Sequence, residues 1–196
     1  MADDGYERRT RYVALARLPR EVEVRIEDAY LNPAGASRPL MGYHISLLGP
    51  FFLPETTRES ALANIAKICH RYAPFSVRVA GLDVFRSEND NVIYLKIANP
   101  DPLVTLHAAL TRATQGLIVL QRDRCEEDQE IEECYIPHIT LGLGLSDEQL
   151  EQFLHSANAT RELEAFFDVT SIWLASEALP RPWQYVTEYP LGTLTD

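Results

Sequence analysis

The sequence predicts an α+β fold built mostly from antiparallel strands. Composition is that of a globular chain, since 46% of the 196 residues are hydrophobic and 24% are charged. The predicted order of elements is β-α-β-α-β-β-α-(β)-β-α-β-β, which lacks the strict alternation of a doubly wound parallel sheet. We expect residues 1–196 to form a single domain or two small lobes that share a core, with residues 1–10 as a flexible tail.

The first half of the chain begins with a buried strand. Residues 12–18 are an apolar run that ends at Pro19. Apolar residues spaced i, i+3, i+4 predict a short helix within residues 20–31, and the composition of 32–37 predicts a loop. Residues 42–50 then form a second strand, with glycine at one end and Gly-Pro at the other.

Three helices are predicted from their start and stop signals. A capping box over residues 56–59 begins a helix that continues to about Tyr72. Asp101 at the N-cap position and proline immediately after it begin a second helix, which Gly116 ends. A second capping box over residues 146–149 begins a helix that continues to about residue 157.

The remaining strands are predicted from apolar alternation. In residues 75–85 the inward-facing set changes phase near Gly81, which predicts a bulge at that glycine. A turn and the returning strand 92–97 complete a hairpin. The other segments are a short strand or helix end at 117–120, an acidic loop at 126–133, a strand at 135–142, and closing strands at 166–175 and 183–191.

The charge and cysteine content limit the classes of function. Eighteen basic residues against 29 acidic ones give a net charge of −11, which repels a nucleic-acid backbone at long range. The sequence has no apolar run long enough for a membrane span and no apolar signal-peptide core, so we expect no membrane partner. The three cysteines, Cys69, Cys125 and Cys134, are expected to be free thiols of a cytoplasmic protein.

One motif occurs twice in the sequence. His44-Ile45-Ser46-Leu47 and His138-Ile139-Thr140-Leu141 both read His, apolar, hydroxyl, apolar, and each lies in a predicted strand. A given histidine meets this pattern by chance about one time in fifty, yet two of the five histidines do. Because residues two apart share a face of a strand, each motif places an imidazole beside a hydroxyl and points its apolar residues into the core.

Two such strands suit the chemistry of a phosphodiester. One imidazole can take a proton from an attacking oxygen while the other donates a proton to the leaving oxygen. The hydroxyls of Ser46 and Thr140 can donate hydrogen bonds to the non-bridging phosphate oxygens, where charge develops. The catalytic candidates are therefore His44 and His138, with no metal and no cofactor. We assign His138 as the base and His44 as the acid, although the similarity of the motifs leaves the reverse open.

These paired motifs resemble those of the 2H phosphoesterase superfamily, which includes 2′-5′ RNA ligase-like proteins and RNA 2′,3′-cyclic phosphodiesterases. The resemblance extends from the opening strand, residues 12–18, to the final hairpin. It implies two pseudo-symmetric lobes with helices on the outside and one motif from each lobe lining a central cleft. It also implies cleavage of 2′,3′-cyclic or related phosphodiesters, with the two histidines, Ser46 and Thr140 in the catalytic roles.

The sequence departs from the family after the second motif. RNA 2′,3′-cyclic phosphodiesterases often carry an arginine there, whereas residues 142–145 contain no cation. The departure favours a small nucleotide over a long RNA. Phe51, Phe52 and Tyr135 are candidates to stack on a base, with stacking worth about 1–3 kcal/mol per base; for the two phenylalanines a place in the core is an equal alternative.

The other candidate residues are expected to have structural roles. His70 and His107 lie off the centre of their predicted apolar stripes, so we expect both to be solvated, and His155 lies near a helix end. The cysteine and histidine spacing fits no zinc site, and no phosphate-binding glycine loop occurs.

Three functions remain open. The first is a hydrolase acting on a small nucleotide or RNA-end phosphodiester. The second is a module that binds nucleotides or RNA ends with weak or no catalysis. The third is 2′-5′ RNA ligation, which the acidic charge makes less attractive.

Overall fold

The computed structural model describes residues 10–31, 38–39, 41–88, 90–121, 135–156, 163–178 and 181–192. In chain order the elements are β1 (Arg11–Arg17), α1 (Arg20–Ile26, continued by a π-helical turn over Glu27–Leu31), β2 (His44–Phe52), α2 (Arg58–Arg71), β3 (Phe75–Phe85), β4 (Asn91–Ile97), α3 (Asp101–Thr114), β5 (Val119–Leu120), β6 (His138–Leu145), α4 (Asp147–Ser156), β7 (Ala165–Val169), β8 (Ser171–Ala178) and β9 (Arg181–Pro190).

The described strands form two antiparallel sheets. The first sheet has the order β5-β2-β1-β8-β9 and the second has the order β6-β4-β3-β7. Every strand pairing in the described part of the chain is antiparallel. The predicted α+β class is therefore confirmed, and the two sheets carry one copy each of the paired motif.

Side-chain alternation divides the first sheet into two apolar faces. Ile45 and Leu47 are buried in the main core, and each such burial stabilises the fold by about 1.5–3 kcal/mol. Leu15 is fully buried on the opposite face, where Trp173 and Tyr185 pack around it. Helices α2 and α3 pack against each other, and α3 also contacts β2. The helix pair thus fixes β2, the strand that carries the first motif.

Of the three predicted helix starts, the structure has one as predicted. The Ser146 box is confirmed, because the Gln149 amide donates to Ser146 Oγ at 3.2 Å and the Ser146 amide donates to Gln149 Oε1 at 2.9 Å. The box at residue 56 is wrong: α2 has Thr57 at its N-cap without a side-chain cap, since the Thr57 hydroxyl donates to the Leu117 carbonyl at 2.6 Å. Helix α3 begins at Asp101 itself, one residue earlier than predicted.

The predicted bulge and hairpin are confirmed. Gly81 has a φ of +31°, and the register between β3 and β4 shifts between Ala80 and Leu82. A conformation at positive φ is one that glycine adopts without a steric penalty. The bulge explains the change of phase that the sequence shows at this point.

The predicted strand 166–175 is wrong as a single element. The chain leaves β7 in the second sheet at Val169, passes through Thr170, and enters β8 in the first sheet at Ser171. The buried positions are odd-numbered in β7 and even-numbered in the first half of β8. This crossing joins the two sheets directly.

Some predictions lie outside the described residues. They are the loop 32–37, the acidic run 126–133, Cys125 and Cys134, and most of the tail 1–10. The short strand at 117–120 is present as Val119–Leu120. Within the described part of the chain, no helix has the length and apolar character to cross a membrane.

Candidate active site

The two motifs lie where the two sheets approach each other. His44 is the first residue of β2, and His138 is the first residue of β6. Strand β6 is an edge of the second sheet, and β6 contacts β2 of the first sheet. In both motifs the histidine and the hydroxyl residue are half-buried while the apolar residue between them is fully buried. The fold therefore brings both imidazole–hydroxyl pairs to one junction.

The two imidazoles are held in the same way. His44 Nδ1 lies 3.2 Å from the carbonyl oxygen of Gly42, and His138 Nδ1 lies 2.8 Å from that of Ile136. A carbonyl oxygen only accepts, so each Nδ1 carries a hydrogen and donates it. When the ring is neutral, Nε2 therefore has a free lone pair. Each ring therefore keeps Nε2 for proton transfer.

Both imidazoles have lowered pKa values. Burial disfavours the charged ring and lowers the pKa of His44 and of His138, while the backbone hydrogen bond opposes that effect in each. The positive charge of His138 lowers the pKa of His44 further. Because a like charge acts in this way only over a short range, the two rings interact electrostatically. This repulsion disfavours a state in which both rings are protonated at once.

Aromatic rings fix the position of His138. The rings of Phe85 and Tyr94 stack at 4.2 Å, and each meets the imidazole edge-on at 5.2 Å. Tyr94 lies on β4 directly opposite Thr140 of β6. These contacts restrict the rotation of the imidazole and shield one side of it from water. Beyond the predicted hairpin, no pattern in the sequence indicated this arrangement.

A second aromatic pair supports the first motif. Tyr135 donates its hydroxyl hydrogen to the Ser46 carbonyl at 2.8 Å, and His107 Nδ1 lies 2.7 Å from the Leu47 carbonyl. The two rings stack with centroids 3.9 Å apart. The prediction that His107 is solvated is wrong, since it is only 6% exposed. Its position on α3, which packs against β2, buries it.

The three stacking candidates occupy other roles in this structure. Phe51 is fully buried and packs against Tyr12, which corrects the expectation that it meets a base. Phe52 is half-buried at the far end of β2, roughly 25 Å from His44 along an extended strand. Tyr135 uses its ring to stack on His107 and its hydroxyl to bind Ser46.

The hydroxyls of the motifs are available to a ligand. Within the described residues, neither Ser46 Oγ nor Thr140 Oγ1 makes a hydrogen bond to the protein. The described residues also contain no group of three or more His, Cys, Asp or Glu side chains placed to hold a metal ion. Cys69 is buried, which raises the pKa of its thiol to about 12.

A hollow of about 200 Å³ lies at the end of β1 beside Arg17 and Trp173. Residues that line it come from the segment after β1 and from the crossing between β7 and β8. Neither motif histidine lines it, so the hollow does not contain the paired motifs; it lies at the end of β1, the strand that pairs with β2.

Comparison with known proteins identifies the family. The family model described as "2'-5' RNA ligase superfamily" matches residues 18–180, which is most of the chain. The chain therefore belongs to this superfamily, in agreement with the resemblance that its paired motifs show. A protein of Bacillus cytotoxicus, named provisionally as a phosphoesterase, is 30% identical over 104 residues, or 53% of each chain. A Bacillus cereus relative with the same name is 31% identical over 53% of each chain. The aligned region is thus about half of these relatives.

Solved structures share the whole fold. LigT of Escherichia coli without ligand has a TM-score of 0.64 and 17% identity, covering 95% of this chain and 99% of that one. A Thermus thermophilus protein has a TM-score of 0.62 and 22% identity, with 94% and 99% coverage. LigT has also been solved with 3′-AMP, at a TM-score of 0.64 and 16% identity, with 93% and 98% coverage. At these identities the likeness establishes the fold.

Proposed function

We propose that this protein is a phosphodiesterase that hydrolyses a 2′,3′-cyclic phosphate or a related small nucleotide phosphodiester. The observation that carries the proposal is the matched setting of His44 and His138. Both rings donate Nδ1–H to a carbonyl two residues earlier, and both belong to motif strands that contact each other. Geometry of this kind prepares two Nε2 atoms for proton transfer on either side of one substrate.

The reaction requires no group beyond water and the side chains of the site. One neutral imidazole takes a proton from water as the water oxygen forms a bond to phosphorus. One phosphorus–oxygen bond of the ester breaks, and the other imidazole, which is protonated, donates its proton to the departing oxygen. A cyclic phosphate thereby becomes a monophosphate ester beside a free hydroxyl. Ser46 and Thr140 donate hydrogen bonds to the non-bridging oxygens as charge builds on them.

The electrostatic coupling of the two imidazoles supports this division of roles. Each imidazole has a lowered pKa, and the charge on His138 opposes a second charge on His44. A pair that holds one proton contains one base and one acid at the same time. Either ring can fill either role in this arrangement. An ester with an activated leaving group distinguishes them, because the variant that lacks the acid keeps more of its activity on such an ester than on a cyclic phosphate.

A nucleotide-sized substrate fits the charge of the chain. With a net charge of −11, the surface repels a long backbone but does not prevent one phosphate from entering a local site. Structures of LigT hold 3′-AMP and ATP. Those ligands belong to LigT, and the shared fold makes nucleotides the first substrates to test here.

The decisive experiment measures turnover of the nucleoside 2′,3′-cyclic phosphates. We expect His44→Ala and His138→Ala each to lower kcat by about 10²–10⁴-fold, the usual contribution of a general acid or base. His70→Ala and His155→Ala are matched controls, since both side chains are exposed on helices, and should retain full turnover. We also expect activity to survive a chelator. Wild-type turnover in both motif variants, on every cyclic phosphate tested, would exclude the proposed mechanism.

The second candidate is a nucleotide- or RNA-end-binding module with weak or no catalysis. The absence of a cation in residues 142–145 favours it, because a cation there would stabilise the charge that develops during reaction. Binding of nucleoside 2′- and 3′-phosphates without turnover would support this candidate. Ligation at a 2′-5′ RNA junction is tested separately by incubating the protein with cleaved tRNA halves.

A further inference from the structure

Arg17 lies beside His44 on the neighbouring strand. The pairing of β1 with β2 places Arg17 directly opposite His44 and Leu15 directly opposite Ser46. Opposite residues of an antiparallel pair project from the same face of the sheet, with Cβ atoms about 4.5–5.5 Å apart. The face that carries the first motif therefore continues from β2 onto β1.

The guanidinium of Arg17 is directed away from β2, across the next two strands. Its central carbon lies 5.1 Å from the ring centroid of Trp173 on β8 and 4.3 Å from that of Tyr185 on β9. The two rings meet edge to face at 5.5 Å, and the Tyr185 hydroxyl donates to the Met41 carbonyl at 2.6 Å. Cation–π contacts and this hydrogen bond fix a positively charged aromatic surface.

This surface is accessible and carries a positive charge beside the first motif. Arg17 is exposed, and Trp173 and Tyr185 are half-buried. None of the salt bridges among the described residues involves Arg17. The hollow of about 200 Å³ opens beside the same arginine and Trp173, which leaves space for a planar group.

We propose that Arg17, Trp173 and Tyr185 form a subsite for the nucleobase of the substrate, the base of the nucleotide whose phosphate lies between His44 and His138. The subsite rests on the proposed function. Bases stack on aromatic rings and on arginine guanidinium planes in single-stranded nucleic-acid sites. The patch begins one strand away from His44 and extends over two more, so it starts about 5 Å away and continues to about 15 Å. That span covers the distance from a phosphate to the base of the same nucleotide.

The test compares ligands with and without a base. Isothermal titration measures the Kd of nucleoside 3′-monophosphates, ribose 5-phosphate and inorganic phosphate for wild type, Arg17→Ala and Trp173→Leu. Loss of one stacking partner should raise the Kd of the nucleotides about 5- to 150-fold, with the Kd of the two baseless ligands unchanged. Arg11→Ala is the matched control. Arg11 is on β1 like Arg17, roughly 20 Å from it, and its guanidinium also lies over an aromatic ring, that of Trp183 on β9. This variant should not change the Kd of the nucleotides.

Three results would overturn the subsite. The first is an unchanged nucleotide Kd in Arg17→Ala. The second is an equal loss of affinity for nucleotides and for inorganic phosphate in that variant. The third is the absence of nucleotide binding by the wild type. An equal loss would make Arg17 a phosphate ligand instead. Thermal melting checks each fold; if Trp173→Leu unfolds, Arg17→Ala alone decides, because its side chain is exposed.

The subsite and the proposed function can fail separately. If turnover of cyclic phosphates depends on both histidines but nucleotide affinity does not depend on Arg17, the proposed function stands and the subsite is excluded. If nucleotide binding depends on Arg17 but no turnover occurs, the subsite stands and the proposed hydrolysis is excluded.

Discussion

The Tyr135 hydroxyl offers a direct test of how the first motif is supported. Tyr135→Phe removes one oxygen and keeps the ring stack on His107, so the change isolates the hydrogen bond to the Ser46 carbonyl. A hydrogen bond of this kind contributes about 0.5–1.5 kcal/mol, and an acceptor left buried without a partner costs about 1–3 kcal/mol. Burial raises the pKa of Tyr135, so the hydroxyl keeps its hydrogen over the whole assay range.

The expected free energy of unfolding is therefore lower by about 1–3 kcal/mol in Tyr135→Phe. In a chain of this length each 1 kcal/mol lowers Tm by about 2–4 °C. We also expect kcat on a cyclic phosphate to fall several-fold with little change in KM, because Ser46 of the motif is held in place by this contact. Urea unfolding and steady-state kinetics measure the two effects.

Tyr72→Phe is the matched control for this measurement. Its hydroxyl donates to the Thr105 carbonyl at 3.2 Å, between α2 and α3, in an exposed position. Loss of that bond should change the free energy of unfolding by less than about 0.5 kcal/mol and leave kcat unaltered. If Tyr135→Phe matches this control in both stability and kcat, the hydrogen bond to Ser46 does not support the motif.

Three further predictions concern the site and its frame. The pH profile of kcat/KM should be bell-shaped with its alkaline midpoint below 6.5, because the pKa values of His44 and His138 are both lowered from 6.5 and the acid is lost as pH rises through the higher one; an alkaline midpoint above 6.5 would contradict this. Thr140→Ala should lower kcat about 10²–10³-fold while Thr140→Ser retains most activity, and equal losses in the two variants would argue against a hydroxyl donor. Ser146→Ala should lower the free energy of unfolding by about 0.5–2 kcal/mol without changing KM; urea unfolding that shows no loss would argue against the cap.

The sequence predicted the motif strands well because their signal is local. Alternation alone determines that Ile45 and Ile139 face the core while the histidines and hydroxyls do not, and the structure has this pattern in both strands. The Ser146 cap is equally local and is confirmed. By contrast, the Thr57 hydroxyl binds a carbonyl 60 residues away, a partner that no local pattern can reveal.

Phase changes in the alternation explain one correct and one wrong prediction. The change at Gly81 coincides with a glycine, which signalled the bulge. The change between Val169 and Ile172 has no glycine or proline, and there the chain passes from one sheet to the other. A phase change without a turn residue was therefore the available signal for the crossing at Thr170. Apolar alternation does not say to which sheet a strand belongs.

His107 shows why helix position alone is a poor guide to burial. A histidine at the border of an apolar stripe is solvated if the stripe faces one neighbour. Helix α3 contacts both α2 and β2, so its buried surface is wider than one stripe, and His107 is enclosed between Leu47 and Tyr135. The width of a buried helix face is set by tertiary packing and is not encoded in the helix itself.

The two copies of the motif are alike in sequence but supported differently. His138 is fixed by the rings of Phe85 and Tyr94, and the exposed Lys96 lies opposite it on β4. On the other side, the strand of His44 pairs with the strand of Arg17, and the exposed cation next to it offers a place for the rest of a ligand. A nucleotide in the site then has one orientation that is favoured by stacking, with its base toward Arg17, Trp173 and Tyr185. The asymmetry of the supports, rather than that of the motifs, would decide which imidazole faces the leaving oxygen.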